Sequence, residues 1–166
     1  MTRPTSDKVK GSIFNIIAPI VFDKDVLDLF AGTGNLGIEA LSRGSRSAVF
    51  VDKSHECSQI IKENLIHTKL LEKAEVLVND VLSVLNKLSQ RGNKFDIIFL
   101  DPPYSKGLVE ETLKGIVSVD VMKPDTLVIA EHDASDVVPI SVGFLKNFRQ
   151  QKYGDTIVSF YRQEGI

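Results

Sequence analysis

Four consecutive residues near the middle of the chain have the types and the order needed to activate an aromatic amine. Asp101-Pro102-Pro103-Tyr104 follows the apolar run 95–100, which is typical of a buried strand. The lone pair of an aromatic amine is delocalised into its ring, so activation requires acceptors that hold the amino hydrogens. The Asp101 carboxylate and the Pro102 carbonyl can act as these acceptors, the two prolines restrict the backbone, and Tyr104 can stack on a base.

This motif predicts methyl transfer to the exocyclic amino group of a base. The chemistry is an in-line displacement at a sulfonium methyl, in which Asp101 orients the amine and accepts its proton, and no metal is required. In isolation, the tetrapeptide could equally form a rigid turn. Its position after the fourth predicted strand, where ligands bind in open α/β sheets, favours the catalytic interpretation. We therefore predict Asp101, Pro102, Pro103 and Tyr104 as catalytic residues.

A glycine-rich segment, residues 28–37, has the position of a nucleotide-cofactor loop. It follows the first predicted strand and opens a helix, and its glycines let the backbone approach a ligand closely. Gly32, Gly34 and Gly37 match the dinucleotide fingerprint. Asp52 stands 20 residues after Gly32, where it would bind a ribose. These residues alone do not decide between a nicotinamide dinucleotide and S-adenosylmethionine.

Two carboxylates favour S-adenosylmethionine. Asp28 lies at the end of the first strand, where it can accept from the cofactor's ammonium group and would repel a pyrophosphate. Asp80, after the third strand, can accept from the adenine amino group while the Val81 amide donates to a ring nitrogen. Alternatively, both carboxylates could be helix caps or loop residues. The cofactor-binding residues predicted in this way are Asp28, Phe30, Ala31, Gly32, Thr33, Gly34, Leu36, Gly37, Asp52, Lys53, Asp80, Val81 and Asp101.

Short β-branched runs alternate with helical patterns from about Asp25 onward, which indicates βαβ units and a parallel sheet. The tail differs, because its two extended segments, 143–152 and 156–162, are separated only by a turn and must be antiparallel. This arrangement is typical of Rossmann-like class I methyltransferases, an α/β fold with helices on both faces and a mostly parallel sheet of seven strands in the order 3-2-1-4-5-7-6. The predicted parallel strands are Asp25–Leu29, Ala48–Asp52, Ala74–Val78, Phe95–Leu100 and Thr126–Glu131.

Apolar periodicity and capping residues predict a helix before the first strand and one after each of the first three strands. Gly44 suits a left-handed cap at the end of the second of these helices. The helices are predicted to begin at Thr5, Ser6 or Asp7 and end before Pro19, to run from near Leu36 to Ser42-Arg43-Gly44, from Ser54 to about Leu71, and from Val81 to Gln90.

The composition limits the classes of function. The chain has 166 residues, which fit a single domain over 1–166. Its net charge of −2 and pI of about 5.9 provide no overall positive field for nucleic acid, so RNA contacts must use local basic clusters. Cys57 is the only cysteine, which excludes an intramolecular disulfide and a Cys/His zinc site. Without an apolar run of about 20 residues, we expect no membrane insertion and a cytoplasmic location.

Six segments spread over nearly the whole chain form a recognisable pattern. They are 3–10 (Arg-Pro-Thr-Ser-Asp-Lys-Val-Lys), 13–16, 27–34, 37–44, 50–53 and 99–104. These segments resemble the RsmD family of small-subunit ribosomal RNA guanine-N2 methyltransferases. The Asp-Pro-Pro-Tyr and Phe-Ala-Gly-x-Gly motifs are shared by many amino-methyltransferases, whereas the Arg-Pro-Thr segment and the Glu-Ala-Leu-Ser-Arg-Gly helix are more specific to this family.

The resemblance implies that S-adenosylmethionine is the cofactor and that the product is N2-methylguanine in 16S rRNA. We also expect the protein to be a monomer and its substrate to be 16S rRNA within a small-subunit ribosomal particle. It also implies that residues 3–5 fold over the cofactor pocket, which adds Arg3 and Thr5 to the cofactor-binding residues. Members of this family usually carry a further basic segment ahead of Arg-Pro-Thr, and we expect it to be absent here. RNA binding would then rely on Lys8, Lys10, Arg43, Arg46, Lys146, Arg149 and Lys152.

Three alternatives stay open. An adenine-N6 or other nucleic-acid amino-methyltransferase would share the catalytic motif, an NAD-dependent oxidoreductase would share the glycine fingerprint, and a non-catalytic module assisting ribosome assembly would fit the weak charge. The three histidines are expected at the surface or in caps, although Glu131-His132-Asp133 lies on the ligand side of the sheet and could touch substrate.

Overall fold

The computed structural model describes residues 6–103 and 107–164, whose strands form one eight-stranded sheet. The strands are β1 (Asp25–Leu29), β2 (Ser47–Asp52), β3 (Ala74–Val78), β4 (Phe95–Leu100), β5 (Met122–Asp133), β6 (Ser141–Val142), β7 (Leu145–Tyr153) and β8 (Thr156–Gln163). The helices are α1 (Asp7–Ile17), α2 (Asn35–Ser42), α3 (His55–His67), α4 (Val81–Gln90) and α5 (Leu108–Val117). In this described part of the chain, no helix has the length and apolarity needed to cross a membrane.

The strand order is β3-β2-β1-β4-β5-β8-β7-β6, with β1 to β5 parallel and β8 antiparallel to both of its neighbours. The predicted order is confirmed, because β7 and β8 are the predicted hairpin. The predicted count of seven strands is wrong, since Ser141–Val142 forms an additional edge strand. Gly143, expected to begin the hairpin, instead has a φ of 56° and lies in the turn between β6 and β7.

Several helices and strands begin or end at residues other than those predicted, and the largest differences are in β5 and α3. β5 begins at Met122 rather than Thr126, and Met122 pairs with Phe95 of β4. The segment Lys123-Pro124-Asp125 is not typical of a buried strand, so the sequence did not indicate this start. α3 ends at His67 because Lys69 adopts a left-handed φ of 62°. No bounds are predicted from the sequence for α5, although its buried residues follow helical spacing.

Helices cover both faces of the sheet, as the nearly all-apolar parallel strands predict. α1, α2 and α3 pack on one face, where the ring centroids of Phe14 and Phe99 lie 5.8 Å apart. α4 and α5 pack on the other face, where Leu85 and Leu113 are buried. Burial of these two apolar layers fixes the sheet and thereby positions the loops at its edges.

The carboxyl ends of the parallel strands meet at one edge of the sheet. Leu29 pairs with both Val51 and Leu100, so the loops after β1, β2 and β4 begin side by side. β3 joins them because Asp52 pairs with Val78. Ligands bind at this edge in open α/β sheets, so the predicted loops converge where a site is expected.

Candidate active site

A cavity of about 670 Å³ opens at the carboxyl edge of the sheet. It lies between the ends of β1, β2 and β3 and the loop after β4, and the first turns of α3, α4 and α5 complete its walls. This volume is within the range of small-molecule and cofactor sites.

The loop after β1 adopts backbone conformations that its glycines permit. Gly32 and Gly34 have φ angles of 61° and 82°, which residues with side chains rarely adopt. Phe30 also has a positive φ, of 59°, and it lines the cavity. Such strain in a non-glycine residue is typical of functional sites. The Asp52 carboxylate accepts hydrogen bonds from Gly32 N at 3.0 Å and from Ser54 N at 2.9 Å, which ties the ends of β1 and β2 together.

Asp28 lies beneath the glycine loop rather than on the wall of the cavity. Its side chain is buried, and Oδ2 accepts a hydrogen bond from Gly37 N at 3.0 Å. Only glycine fits at position 37, because a Cβ there would lie 2.4 Å from Phe50 Cε2 and 3.2 Å from Asp28 Oδ2. The third glycine of the fingerprint therefore lets α2 pack closely on the sheet.

Three carboxylates are concentrated around this loop. Burial raises the pKa of Asp28 well above its ordinary value, the hydrogen bond from Gly37 N opposes that shift, and the charges of Asp101 and Asp52 add to it. The charges of Asp52 and Asp101 therefore both act on Asp28. Because burial favours the uncharged form of Asp28, Asp52 and Asp101 supply the negative potential, which favours a cationic ligand and disfavours a pyrophosphate.

Asp80 is the N-cap of α4 and also lines the cavity. Its carboxylate oxygens accept hydrogen bonds from Ser83 N at 2.9 Å and from Ser83 Oγ at 2.8 Å. These two bonds lower the pKa of Asp80, so the carboxylate is ionised at neutral pH. The capping alternative is correct for Asp80, and it is compatible with adenine recognition because each oxygen has a further lone pair. Val81, the predicted amide donor, lines the cavity beside it.

The Asp-Pro-Pro segment follows the end of β4. Asp101 is 9% exposed, and its backbone N donates to Leu29 O at 3.5 Å, so β1 and β4 together hold its position. Pro102 and Pro103 are half-buried, and Pro103 lines the cavity. A largely buried carboxylate therefore stands on the strand end beside the cavity, followed by a restricted proline backbone.

The predicted site residues fall into three groups. Those on the cavity wall are Phe30, Asp52, Lys53, Asp80, Val81 and Pro103. Those in the adjoining strand ends, loops and helix start are Asp28, Ala31, Gly32, Thr33, Gly34, Leu36, Gly37, Asp101 and Pro102. Arg3, Thr5 and Tyr104 lie outside the described residues. The roles of all these residues as ligands or catalysts stay predictions.

Sequence reasoning missed the part of the wall that helices supply. These residues are Glu56, Cys57 and Ile60 of α3, Leu82 of α4, and Leu108, Glu111 and Thr112 of α5. A helix that follows a parallel strand begins at the ligand edge, so its first turns were a usable signal. Three of the seven belong to α5, whose bounds were not predicted.

His132 does not lie at the surface, contrary to the expectation for the histidines. It is 5% exposed at the end of β5, and its Nε2 lies 2.8 Å from Ser159 Oγ. Burial lowers the pKa of His132, so the ring is neutral at pH 7. This histidine belongs to the polar interior between β5 and β8.

Comparison with known proteins places this chain in a family. The family described as conserved hypothetical protein 95 matches residues 1–162. The chain is similar to YlbH of Bacillus subtilis (strain 168), with 43% identity over 164 residues that cover 99% of this chain and 89% of that protein. It is similar to ribosomal RNA small subunit methyltransferase D of Escherichia coli (strain K12), with 32% identity over 98% of this chain and 80% of that protein.

A solved structure gives the same result. A conserved hypothetical protein from Streptococcus pyogenes aligns with a TM-score of 0.86 and 35% identity, over 94% of this chain and 96% of that chain. Sequence and structure thus match relatives along nearly their full lengths. The chain therefore belongs to the conserved hypothetical protein 95 family, which is the family of ribosomal RNA small subunit methyltransferase D.

Proposed function

We propose that the protein is an S-adenosylmethionine-dependent methyltransferase that modifies the exocyclic N2 amine of a guanine in 16S rRNA. The observation that carries this proposal is the position of Asp101 and Pro103 beside the cavity that Asp52 and Asp80 line. An acceptor for an amine thus stands next to acceptors placed for a nucleoside cofactor. The family supports an rRNA substrate, because the Escherichia coli relative is named as a small-subunit rRNA methyltransferase.

The cavity fits S-adenosylmethionine. This cofactor carries positive sulfonium and ammonium groups, which match the charges of Asp52 and Asp101. Asp52 would hold the ribose hydroxyls, and Asp80 and Val81 would hold the adenine edge. When bound, the cofactor supplies the methyl group. The nicotinamide alternative loses its support, because its pyrophosphate would meet this negative potential and the family is one of methyltransferases.

Asp101 orients the amine and accepts its proton. Its carboxylate holds one amino hydrogen and the Pro102 carbonyl holds the other, which directs the nitrogen lone pair toward the methyl group. Burial of Asp101 limits competition from water and so strengthens these hydrogen bonds. As the N–C bond formed, the bond between the methyl carbon and sulfur would break, the sulfur would leave as a neutral thioether, and the nitrogen's proton would pass to the Asp101 carboxylate. Tyr104 would stack on the guanine, and Arg3 and Thr5 would cover the cofactor.

The remaining parts of the proposal concern the setting of the reaction. Residues 1–166 act as a single methyltransferase domain and as a monomer. The substrate is 16S rRNA assembled in a small-subunit particle, because a base amine must be presented unpaired and in a fixed shape for recognition. Since ribosomal particles occupy the cytoplasm, the activity belongs there too.

Methyl transfer from labelled S-adenosylmethionine to 16S rRNA and to small-subunit particles tests the proposal, with nucleoside mass spectrometry to identify the product. The wild type is expected to form N2-methylguanosine. Asp101→Ala is expected to lower kcat by about 10²–10⁴-fold, the usual contribution of a positioned acid or base. Calorimetric titration should show that this variant still binds the cofactor.

Asp125→Ala is the matched control, because Asp125 is exposed near the start of β5, away from the carboxyl edge. Its kcat should equal that of the wild type. N6-methyladenosine as the product would transfer the proposal to adenine. Intact cofactor binding without labelling of either RNA substrate would leave a non-catalytic module as the better description.

A further inference from the structure

A second cavity, of about 530 Å³, lies at the carboxyl edge beyond β5, and the proposed reaction does not use it. We call it the hairpin groove, and it lies between the loop 134–140 and the strands β5, β7 and β8. Asp136 of this loop accepts a hydrogen bond from Gly107 N at 3.5 Å. Gly107 directly precedes Leu108, which lines the first cavity, so the hairpin groove adjoins the candidate active site.

The hairpin groove is preformed. The Tyr161 hydroxyl donates to Pro139 O at 2.7 Å, and Asn147 N donates to Ile140 O at 2.8 Å, which ties the loop to β8 and β7. Burial raises the pKa of Tyr161 to about 12, so its hydroxyl keeps the proton that makes this bond. A ligand would therefore bind without first ordering the loop.

One wall of the hairpin groove is apolar and the other carries hydrogen-bonding groups. Val137 and Ile140 on the apolar wall are 90% and 74% exposed, which is unusual for such side chains. On the polar wall, Gln150 Nε2 donates to Ser159 Oγ at 2.9 Å, and Ser159 in turn contacts His132. An apolar wall beside fixed polar groups suits a nucleobase, whose face is apolar and whose edge is polar.

The strands beside the hairpin groove have a charge opposite to that of the whole chain. β7 and β8 carry four cations, Lys146, Arg149, Lys152 and Arg162, and no carboxylate, whereas the net charge of the chain is −2. The Arg162 guanidinium lies 4.1 Å from the ring centroid of Phe148, which is 41% exposed. Stacked arginine and aromatic side chains on a basic surface are typical of sites for single-stranded nucleic acid.

We propose that the hairpin groove binds an unpaired nucleotide of the RNA strand that neighbours the target base; this inference rests on the proposed function. The base packs against the apolar wall, and its phosphates face Arg149 and the other cations of β7. Asp136, inside the groove, repels phosphate but can accept hydrogen bonds from a base amino group. The carboxylate thus sets the direction in which the nucleotide enters.

Steady-state methylation of 16S rRNA and of small-subunit particles by groove variants tests this inference. Ile140→Glu places a negative charge on the exposed rim without disturbing the core, and the double variant Arg149→Ala/Gln150→Ala removes a cation and a base contact. Both should raise the KM for each RNA substrate by about tenfold, the size of one lost base contact. The kcat and the Kd for S-adenosylmethionine should stay within about twofold of the wild type.

Ile66→Glu is the matched control, because Ile66 is 62% exposed on α3 and lies on neither cavity wall. An unchanged KM for RNA in both groove variants would overturn the inference while leaving the proposed function intact. If the wild type methylates free rRNA as well as particles, a rise in KM that is confined to particles would also overturn it, since the groove would then dock a ribosomal protein.

Photocrosslinking separates this inference from the failure of the proposed function. 16S rRNA with 4-thiouridine in place of uridine throughout should crosslink to peptides within 132–150, as identified by mass spectrometry. Crosslinks confined to other regions would contradict the groove assignment. If the wild type transfers no methyl group, the proposed function fails, but crosslinks to 132–150 would still support RNA binding in the hairpin groove.

Discussion

The cofactor cavity and the hairpin groove lie on the same edge of one sheet, yet they have opposite electrostatic character. Around the cavity, the carboxylates of Asp28, Asp52 and Asp101 are close enough to shift a pKa. Beside the groove, β7 and β8 carry cations and no carboxylate. A fold with a net negative charge can therefore hold a cationic cofactor and still offer a surface to a polyanion, because its negative and positive groups lie on different strands.

Among the variants that distinguish the cavity from the hairpin groove, Gly37→Ala should have the largest effect. Of the two regions, it should alter only the cavity. The new Cβ would lie 2.4 Å from Phe50 Cε2, so α2 must move away from the sheet and lengthen the hydrogen bond to Asp28. We expect the free energy of unfolding to fall by about 1–3 kcal/mol, the usual cost of overpacking. Denaturant unfolding measures this change, and calorimetry should show weaker cofactor binding.

Gly11→Ala is the control for this substitution. Gly11 lies within α1, and a Cβ there would meet nothing within 4 Å. Since alanine favours a helix over glycine, this variant should be more stable by about 0.5–1 kcal/mol. Equal losses of stability in the two variants would mean that position 37 does not need glycine for the close packing of α2 on the sheet.

Much of the cavity could be predicted because its requirements are local in the sequence. Gly32 and Gly34 are needed for left-handed backbone within a single turn, and Asp52 and Asp80 follow strands that their apolar runs reveal. Parallel strands then bring the loops to one edge without further information. The orientation of the Asp28 side chain could not be predicted from the sequence, because its burial depends on the packing of α2 against the sheet at Gly37.

The hairpin groove could not be predicted, because its contacts join residues that are distant in the sequence. His132, Gln150 and Ser159 come from three strands and meet only through the pairing of β5, β8 and β7. A register shift between Asn147 and Arg149 changes which side chains share a face of β7. The alternation of apolar and polar residues in the sequence does not reveal that shift. Neither the burial of His132 nor the hairpin groove is therefore apparent from the sequence alone.

Asp28→Asn, a substitution beside the cavity, should change how the stability of the protein depends on pH. Burial raises the folded-state pKa of Asp28, so its contribution to stability is complete below the unfolded value of 3.8 and is lost as the pH rises through the folded value. The asparagine Oδ1 can still accept from Gly37 N. The variant should therefore gain stability relative to the wild type as the pH rises from about 4 to 8, in thermal unfolding without cofactor, while its affinity for S-adenosylmethionine falls.

Asp80→Asn is the control and should show the opposite pH dependence, because hydrogen bonds from Ser83 lower the pKa of Asp80. Its contribution to stability is present above the unfolded value of 3.8 and is lost as the pH falls. This variant should therefore lose stability relative to the wild type at neutral pH and approach it in acid. The same sign of pH dependence in both variants would contradict the buried setting assigned to Asp28.

Lys152→Ala should have the smallest effect, and it belongs to the hairpin side of the comparison. If the exposed ammonium of Lys152 contacts a phosphate, its removal should reduce the slope of log affinity against log salt for 16S rRNA by about one. Binding measured between about 50 and 200 mM salt gives this slope. Lys94→Ala is the control, because Lys94 precedes β4 at the opposite edge and pairs with Asp120 at 3.5 Å. Equal slopes in the two variants would show that the cations of β7 do not face the RNA backbone, and the proposed division between a cofactor side and an RNA side of the edge would fail.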